Sequence, residues 1–379
     1  MSLVSSVSGR PLEADTAHSL SDGAGERWPV VDGIAYLRTG REALVREALA
    51  ALDAGDREGA LVHLLADQDD WWTGPTPAPE RLRALVRDAD RLTFREAMAH
   101  LELGRVGDYF AHRWSDPTFV AGLALLEAHW AEPSEAFELA CGAGHHLREL
   151  DRRGVPCTGG DVVFAKLWLA RRWVCGPGPE LVCFDAASPW PVAGRRFGLV
   201  LCHDAFYFLE PKAEIAGRLR DLTAGDGLLA VAHVHNREAA NLSAGAAVAA
   251  AELDALFPGA VAYDDAELTA AAAEARAPRP RRWDELGAVE AFSLAVGDDA
   301  PPRPVLAGVA LPPPDAELVR NPLYGEDDRI AWPSDRYRDE YGPLATYPLH
   351  SEAPRRARRT PATEAMARSR ELVELPARW

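Results

Sequence analysis

Four residues near the middle of this 379-residue chain carry side chains suited to moving protons: His203, Asp204, His233 and His235. An imidazole titrates close to neutral pH, and a neighbouring carboxylate can orient it, so the group has the parts of a general base. Alternation along an extended segment puts His233 and His235 on one face, with Asn236 just beyond. A His-x-His pair is also a spacing for metal ligands, but no third ligand is apparent, and no metal is expected. A second set is acidic. Glu138 sits in one apolar run, Asp161 closes the next and Asp185 closes a third. A carboxylate in or ending an apolar strand is costly without a partner, so these acids are candidates for holding a polar ligand.

The elements that must position them start at Glu138. Glu-Leu-Ala-Cys-Gly-Ala-Gly runs from Glu138 to Gly144, and a helix-patterned segment from His145 to Arg153 follows at once. A strand, a glycine turn and a helix bring bare backbone close to a ligand and aim a helix N-terminus at it. Asp161 comes at roughly the 20-residue distance where nucleotide-binding α/β folds place a carboxylate on ribose. An adenosine-containing ligand at the carboxyl edge of a parallel sheet is therefore expected. The third glycine of a dinucleotide fingerprint is replaced by Leu147, and the only lysines, Lys166 and Lys212, lie in no P-loop.

What remains resembles motif I of the class I S-adenosylmethionine-dependent methyltransferases, an acid followed at alternate positions by small residues: Glu138, Ala140, Gly142 and Gly144. Ala140 stands where that family more often has glycine. The order downstream is also similar, over roughly residues 136 to 236. Leu181 to Asp185 reads as a third strand, Phe197 to Asp204 as a fourth, Pro211 to Leu222 as a helix, Thr223 to Gly227 as a turn and Leu228 to His235 as a fifth strand.

The resemblance implies an α/β fold with a Rossmann-like methyltransferase sheet, mostly parallel with an antiparallel end strand. It implies S-adenosyl-L-methionine as cofactor, held by Glu138, Ala140, Gly142, Gly144, Asp161, Val162, Asp185, Ala186 and His203. Tyr109 and Arg113, in the lead-in to the first strand, would close over the methionine end, and Phe206, Tyr207 and Phe208 would line an acceptor pocket. His145 and His146 would offer backbone N–H groups, with their side chains at the surface. The implied activity is methyl transfer; the resemblance says nothing specific about the acceptor, which is read here as a small molecule (small-molecule or natural-product modification) accepting at a hydroxyl oxygen, with the base among His203, Asp204, His233 and His235. Two further readings stay open: a non-catalytic scaffold that binds an adenosine ligand, and a dinucleotide-dependent oxidoreductase.

Composition bounds the rest. A net charge of −17 argues against a general nucleic-acid binder, which needs a cationic footprint. No apolar run approaches the ~20 residues that cross a bilayer, and the N-terminus has no signal-peptide pattern. Five cysteines without a Cys-x-x-Cys pair fit reduced core thiols in the cytoplasm. A homo-oligomer is left open. Four regions are expected: a disordered start over 1–26; a small strand segment and helical cap over 27–130; the cofactor-binding domain over 131–298; and a Pro-rich, aromatic extension over 299–379. Within these, Ser243 to Phe257 reads as a helix, Val289 to Val296 as the last strand, and Arg355 to Trp379 as an exposed helix; the sixth strand has no clear place.

Overall fold

The computed structural model describes residues 2–242, 245–297 and 300–379. Its first strands form a meander: β1 (Glu13–Thr16), β2 (Ser19–Ser21), β3 (Arg27–Val31) and β4 (Ile34–Tyr36). Six helices follow: α1 (Glu42–Asp53), α2 (Arg57–Ala66), α3 (Pro79–Asp88), α4 (Phe94–His100), α5 (Arg105–His112) and α6 (Pro117–Ala128). The α/β core then runs β5 (Ala136–Leu139), α7 (His145–Asp151), β6 (Cys157–Asp161), α8 (Phe164–Leu169), β7 (Glu180–Cys183), β8 (Phe197–His203), α9 (Lys212–Leu222) and β9 (Thr223–His235). It closes with α10 (Ala250–Leu256), β10 (Val261–Asp264), α11 (Asp265–Glu274) and β11 (Ala291–Val296).

These strands make one sheet in the order β1-β2-β3-β4-β7-β6-β5-β8-β9-β11-β10. The centre, β7 through β9, is parallel, whereas β11 runs antiparallel to both β9 and β10. The parallel centre with the antiparallel β11 beyond it is the Rossmann-like sheet that the resemblance implied, and the β1–β4 meander extends it on the other side. Parallel strands buried on both faces need continuous apolar runs, and Phe197 to Cys202 supplies one, with all but Gly198 buried. The carboxyl ends of β5, β6, β8 and β9 converge on one edge, where open α/β sheets bind ligands.

Several expectations are corrected. The start is not disordered: Leu3 and Leu12 are buried, and β1 and β2 extend the large sheet through β3 and β4. Its serines and aspartates are bonded locally, Ser5 to Glu26 and Ser8 to Asp22, so a composition typical of disorder here serves turns instead. The β3–β4 hairpin is no separate segment either, because β4 pairs in parallel with β7. Thr223 to Gly227 is the bulged start of β9 rather than a turn. The helix expected over 243–257 is the shorter α10; Ser243 and Ala244 lie outside the described residues. The sixth strand is β10. Finally α6, apolar all round and buried along its whole length, packs on the sheet instead of in a cap, as such a helix must.

The extension adds a three-stranded antiparallel sheet of β12 (Glu317–Arg320), β13 (Arg356–Arg358) and β14 (Leu372–Val373), with helices α12 (Asp335–Tyr341) and α13 (Glu364–Arg368). The Pro-rich stretch is fastened to α6 by Glu127, whose carboxylate accepts the backbone N–H groups of Leu306, Gly308 and Ala310. No exposed helix ends the chain. The Trp379 indole donates to the Ala111 carbonyl at 2.7 Å, and the Arg378 guanidinium to the Ala89 carbonyl at 2.7 Å. The tail thereby locks onto α3 through α5.

Candidate functional site

The turn after β5 has the conformation its glycines allow. Gly142 and Gly144 have φ of +55° and +79°, a region open to glycine. Ala140 has φ +55° as well, so the alanine carries the strain that a glycine would avoid. Asp161, at the end of β6, holds this turn: Oδ2 accepts the Gly142 N–H at 2.9 Å and Oδ1 accepts the Val163 N–H at 2.9 Å. Each carboxylate oxygen keeps a further acceptor direction for a hydroxyl. Val162 lies between these anchors and its carbonyl accepts the Cys183 thiol. Glu138 is buried, its Oε1 3.3 Å from His146 Nδ1, and its Oε2 has no hydrogen-bond partner among the described residues. A buried carboxylate oxygen left open fits a polar ligand group. The chain thus suits S-adenosylmethionine. Asp185 accepts the Ala187 N–H at 2.8 Å, and the Ala186 carbonyl accepts both the Trp190 indole and the Arg218 guanidinium.

Tyr109 and Arg113 serve another point of the edge. The Tyr109 hydroxyl donates to Asp204 Oδ2 at 2.6 Å, and Arg113 lies 3.2 Å from the same oxygen and 3.2 Å from Asp116. Between them in sequence, Phe110 covers the glycine turn: a Cβ on Gly142 would come 3.2 Å from its ring. His145 and His146 are not surface groups but buried. His145 donates from Nε2 to the Phe110 carbonyl at 3.0 Å and packs 4.5 Å from the Trp114 ring. Burial, with the charge of Arg113 second, drives its pKa well below the ordinary value.

The four proton-moving candidates separate into two places. His203 turns under α6, its ring 4.3 Å from that of His146 and tight against Gly122. Neither ring nitrogen has a hydrogen-bond partner among the described residues, and burial pushes its pKa well down. The other three come together. Asp204, with φ +56°, follows β8; Tyr207 donates to its Oδ1 at 2.7 Å, and His233 Nε2 lies 3.8 Å from that oxygen. His233 sits in a bulge of β9 opposite Ser293, with φ +51°. Bulges re-aim side chains in this way. Its Nδ1 meets Asp265 Oδ2 at 2.6 Å, and the Ser293 hydroxyl donates to Asp265 Oδ1. His235 lies 4.7 Å from His233, ring to ring, and 4.6 Å from Tyr207.

Electrostatics differ sharply across this group. Burial works against a charge on His233, but Asp204 and Asp265 outweigh it and raise its pKa to about 9. For His235 burial and the neighbouring His233 charge act together and lower the pKa to about 4. Asp204 is held below the ordinary carboxylate range: burial opposes this, while His233, Arg113 and the two tyrosine hydroxyls overcome it. Burial raises both Tyr109 and Tyr207, so they remain hydrogen-bond donors.

Asp265, Ser293 and Phe110 escaped the sequence reading. Asp265 had a signal only through β10, whose four residues pass directly into α11 with no turn between them. Phe110 stood beside the chosen Tyr109 and Arg113, and only the helical rotation of α5 distinguishes the three.

A family model described as a methyltransferase domain matches residues 137–231. No curated protein matches the chain. Among solved structures, the CcbJ methyltransferase from Streptomyces caelestis is 20% identical over 32% of this chain and 51% of its own, with a TM-score of 0.29. DesVI from Streptomyces venezuelae is 21% identical over 32% and 53%, TM-score 0.28. A SAM-dependent methyltransferase from Geobacter sulfurreducens, solved with S-adenosyl-L-homocysteine, is 22% identical over 33% and 52%, TM-score 0.28. The chain thus spans just over half the length of these structures. With the matched segment running from β5 into β9 and the strand order of the sheet, residues 137–231 are a methyltransferase domain of the class I, S-adenosylmethionine-dependent type.

Proposed function

We propose that the whole protein transfers a methyl group from S-adenosylmethionine to a hydroxyl oxygen of a small molecule. The observation that carries this reading is the meeting, at one sheet edge, of an Asp161-braced glycine turn with the Asp204–His233–His235 group. When bound, the cofactor supplies an electrophilic methyl on a sulfonium sulfur. Asp161 would accept the ribose hydroxyls, and the open Oε2 of Glu138 would take the ligand's polar end. Asp185 and Ala186 flank the adenine end. Phe110, lying on the turn, would keep water from that part of the bound cofactor.

Alignment supplies most of the advantage in such an in-line displacement, several kcal/mol where the geometry is fixed. The acceptor hydroxyl is oriented by Asp204, which Tyr109, Tyr207 and Arg113 fix in place. Its proton leaves toward the same group as the methyl arrives. His203 takes no part in this step, because its ring is committed to His146 and α6. A panel of hydroxylated small molecules with isotopically labelled donor tests the reading. With an acceptor in hand, Asp204→Asn and His235→Ala should lower kcat by about 10²-fold or more, the scale of losing acid–base assistance. Cofactor affinity should stay within a few-fold. Unchanged kcat in both variants would remove this group from the reaction.

A further inference from the structure

We infer that Asp204, His233 and His235 bind a divalent transition-metal ion. Each offers one ligand atom, and the three atoms lie within 4.8 Å of one another. Two imidazoles and one carboxylate are a donor set for Zn2+, Mn2+ or Fe2+ rather than for Mg2+ or Ca2+, which prefer oxygen alone.

The surroundings of the three residues favour an ion as well. Asp265 holds the Nδ1 side of His233 at 2.6 Å and is itself fixed by Ser293, which leaves Nε2 free to face Asp204 Oδ1 at 3.8 Å. A carboxylate behind a ligating imidazole sets its tautomer and ring direction. Tyr109 and Tyr207 hydroxyls fix the Asp204 carboxylate. His235 is 3% exposed, and its Nδ1 has no hydrogen-bond partner among the described residues. The carboxylates of Asp116, Asp204 and Asp265 are buried here against the Arg113 guanidinium and the His233 imidazole. The bulge that sets His233 at φ +51° turns its ring toward Asp204 instead of leaving β9 regular.

Three protein ligands leave coordination positions for water or an acceptor oxygen. That last role rests on the methyl-transfer reading; occupancy of the site by an ion does not.

The test uses the full chain, stripped with a chelator, incubated with Zn2+, Mn2+ or anaerobic Fe2+ and freed of excess ion by gel filtration. Elemental analysis should find one equivalent of at least one of these metals. Substitution with Co2+ should give visible d–d absorption. His235→Ala breaks no side-chain hydrogen bond among the described residues and should weaken binding at least tenfold, whereas His18→Ala, at a half-buried histidine paired with Asp53, should not. Asp204→Asn serves as a second variant if His235→Ala fails to fold. Substoichiometric metal in the wild type, or equal retention in the folded ligand variants, overturns the inference. Cofactor binding measured on the same samples would survive that outcome, so failure here is distinct from failure of the methyl-transfer reading.

Discussion

Ala140 shows how much one residue of the motif costs. Its φ of +55° is left-handed, which adds about 1–2 kcal/mol for a residue with a Cβ. Glycine would remove that strain but lose about 0.5–1 kcal/mol of chain entropy on folding. Ala140→Gly should therefore leave thermal stability unchanged or slightly raised, with cofactor binding intact. Ala140→Val, with a β-branched side chain at the same φ, should cost about 2 kcal/mol or more. Denaturant melts of the two variants check this, and equal stabilities would show that the left-handed turn is not populated. At this scale the motif acids and glycines were legible from type and spacing. The direction of each histidine was not. His203 and Asp204 are chain neighbours, yet one turns under α6 and the other toward β9, because Asp204 itself takes a left-handed φ.

Among the elements, α6 decides how the buried polar residues of the sheet edge are covered. A Cβ at Gly122 would lie 2.6 Å from the His203 ring and 2.9 Å from His146 Nε2. Gly122→Ala should then cost about 1–3 kcal/mol through overpacking, since both rings are enclosed. Unfolding free energy measures this directly, and a neutral result would mean that the two rings move freely. The central strands were readable because apolar runs stop at glycines or acids: β5 at its turn, β6 at Asp161 and β8 just before Asp204. β10 gave no such signal. Four residues, two of them only partly buried, lead straight into α11, and the site residue Asp265 went unseen with them. The start of the chain failed for the opposite reason, since its Ser/Gly/Asp content suits tight strand turns as well as disorder.

At the scale of the molecule, the C-terminal extension is part of the structure that supports the edge. Tyr341 of α12 packs 6.3 Å from Tyr109, and His112 lies between Tyr337 and Trp379. Burial, with the charge of Arg95 second, lowers the His112 pKa to about 4. The unfolded chain therefore binds the proton more readily. His112 contributes nothing against folding above about pH 6.5, and stability is lost as pH falls from there toward 4. The completed effect is about 3.5 kcal/mol at about 1.4 kcal/mol per pKa unit. His112→Phe should flatten the decline of Tm between pH 7 and pH 5. A slope identical to the wild type would remove His112 as its source. Among the described residues no helix is long and apolar enough to cross a membrane.

The central claim is that Asp161 and the glycine turn hold S-adenosylmethionine, and calorimetric titration of the wild type and Asp161→Ala with S-adenosyl-L-homocysteine tests it most directly. Losing charge-assisted bonds to ribose costs about 1.5–3 kcal/mol, a roughly ten- to hundredfold rise in Kd. One site is expected in the wild type, with that loss in a folded Asp161→Ala variant and no comparable heat with NAD. Equal affinity in the two proteins, or tighter binding of NAD, would contradict that claim.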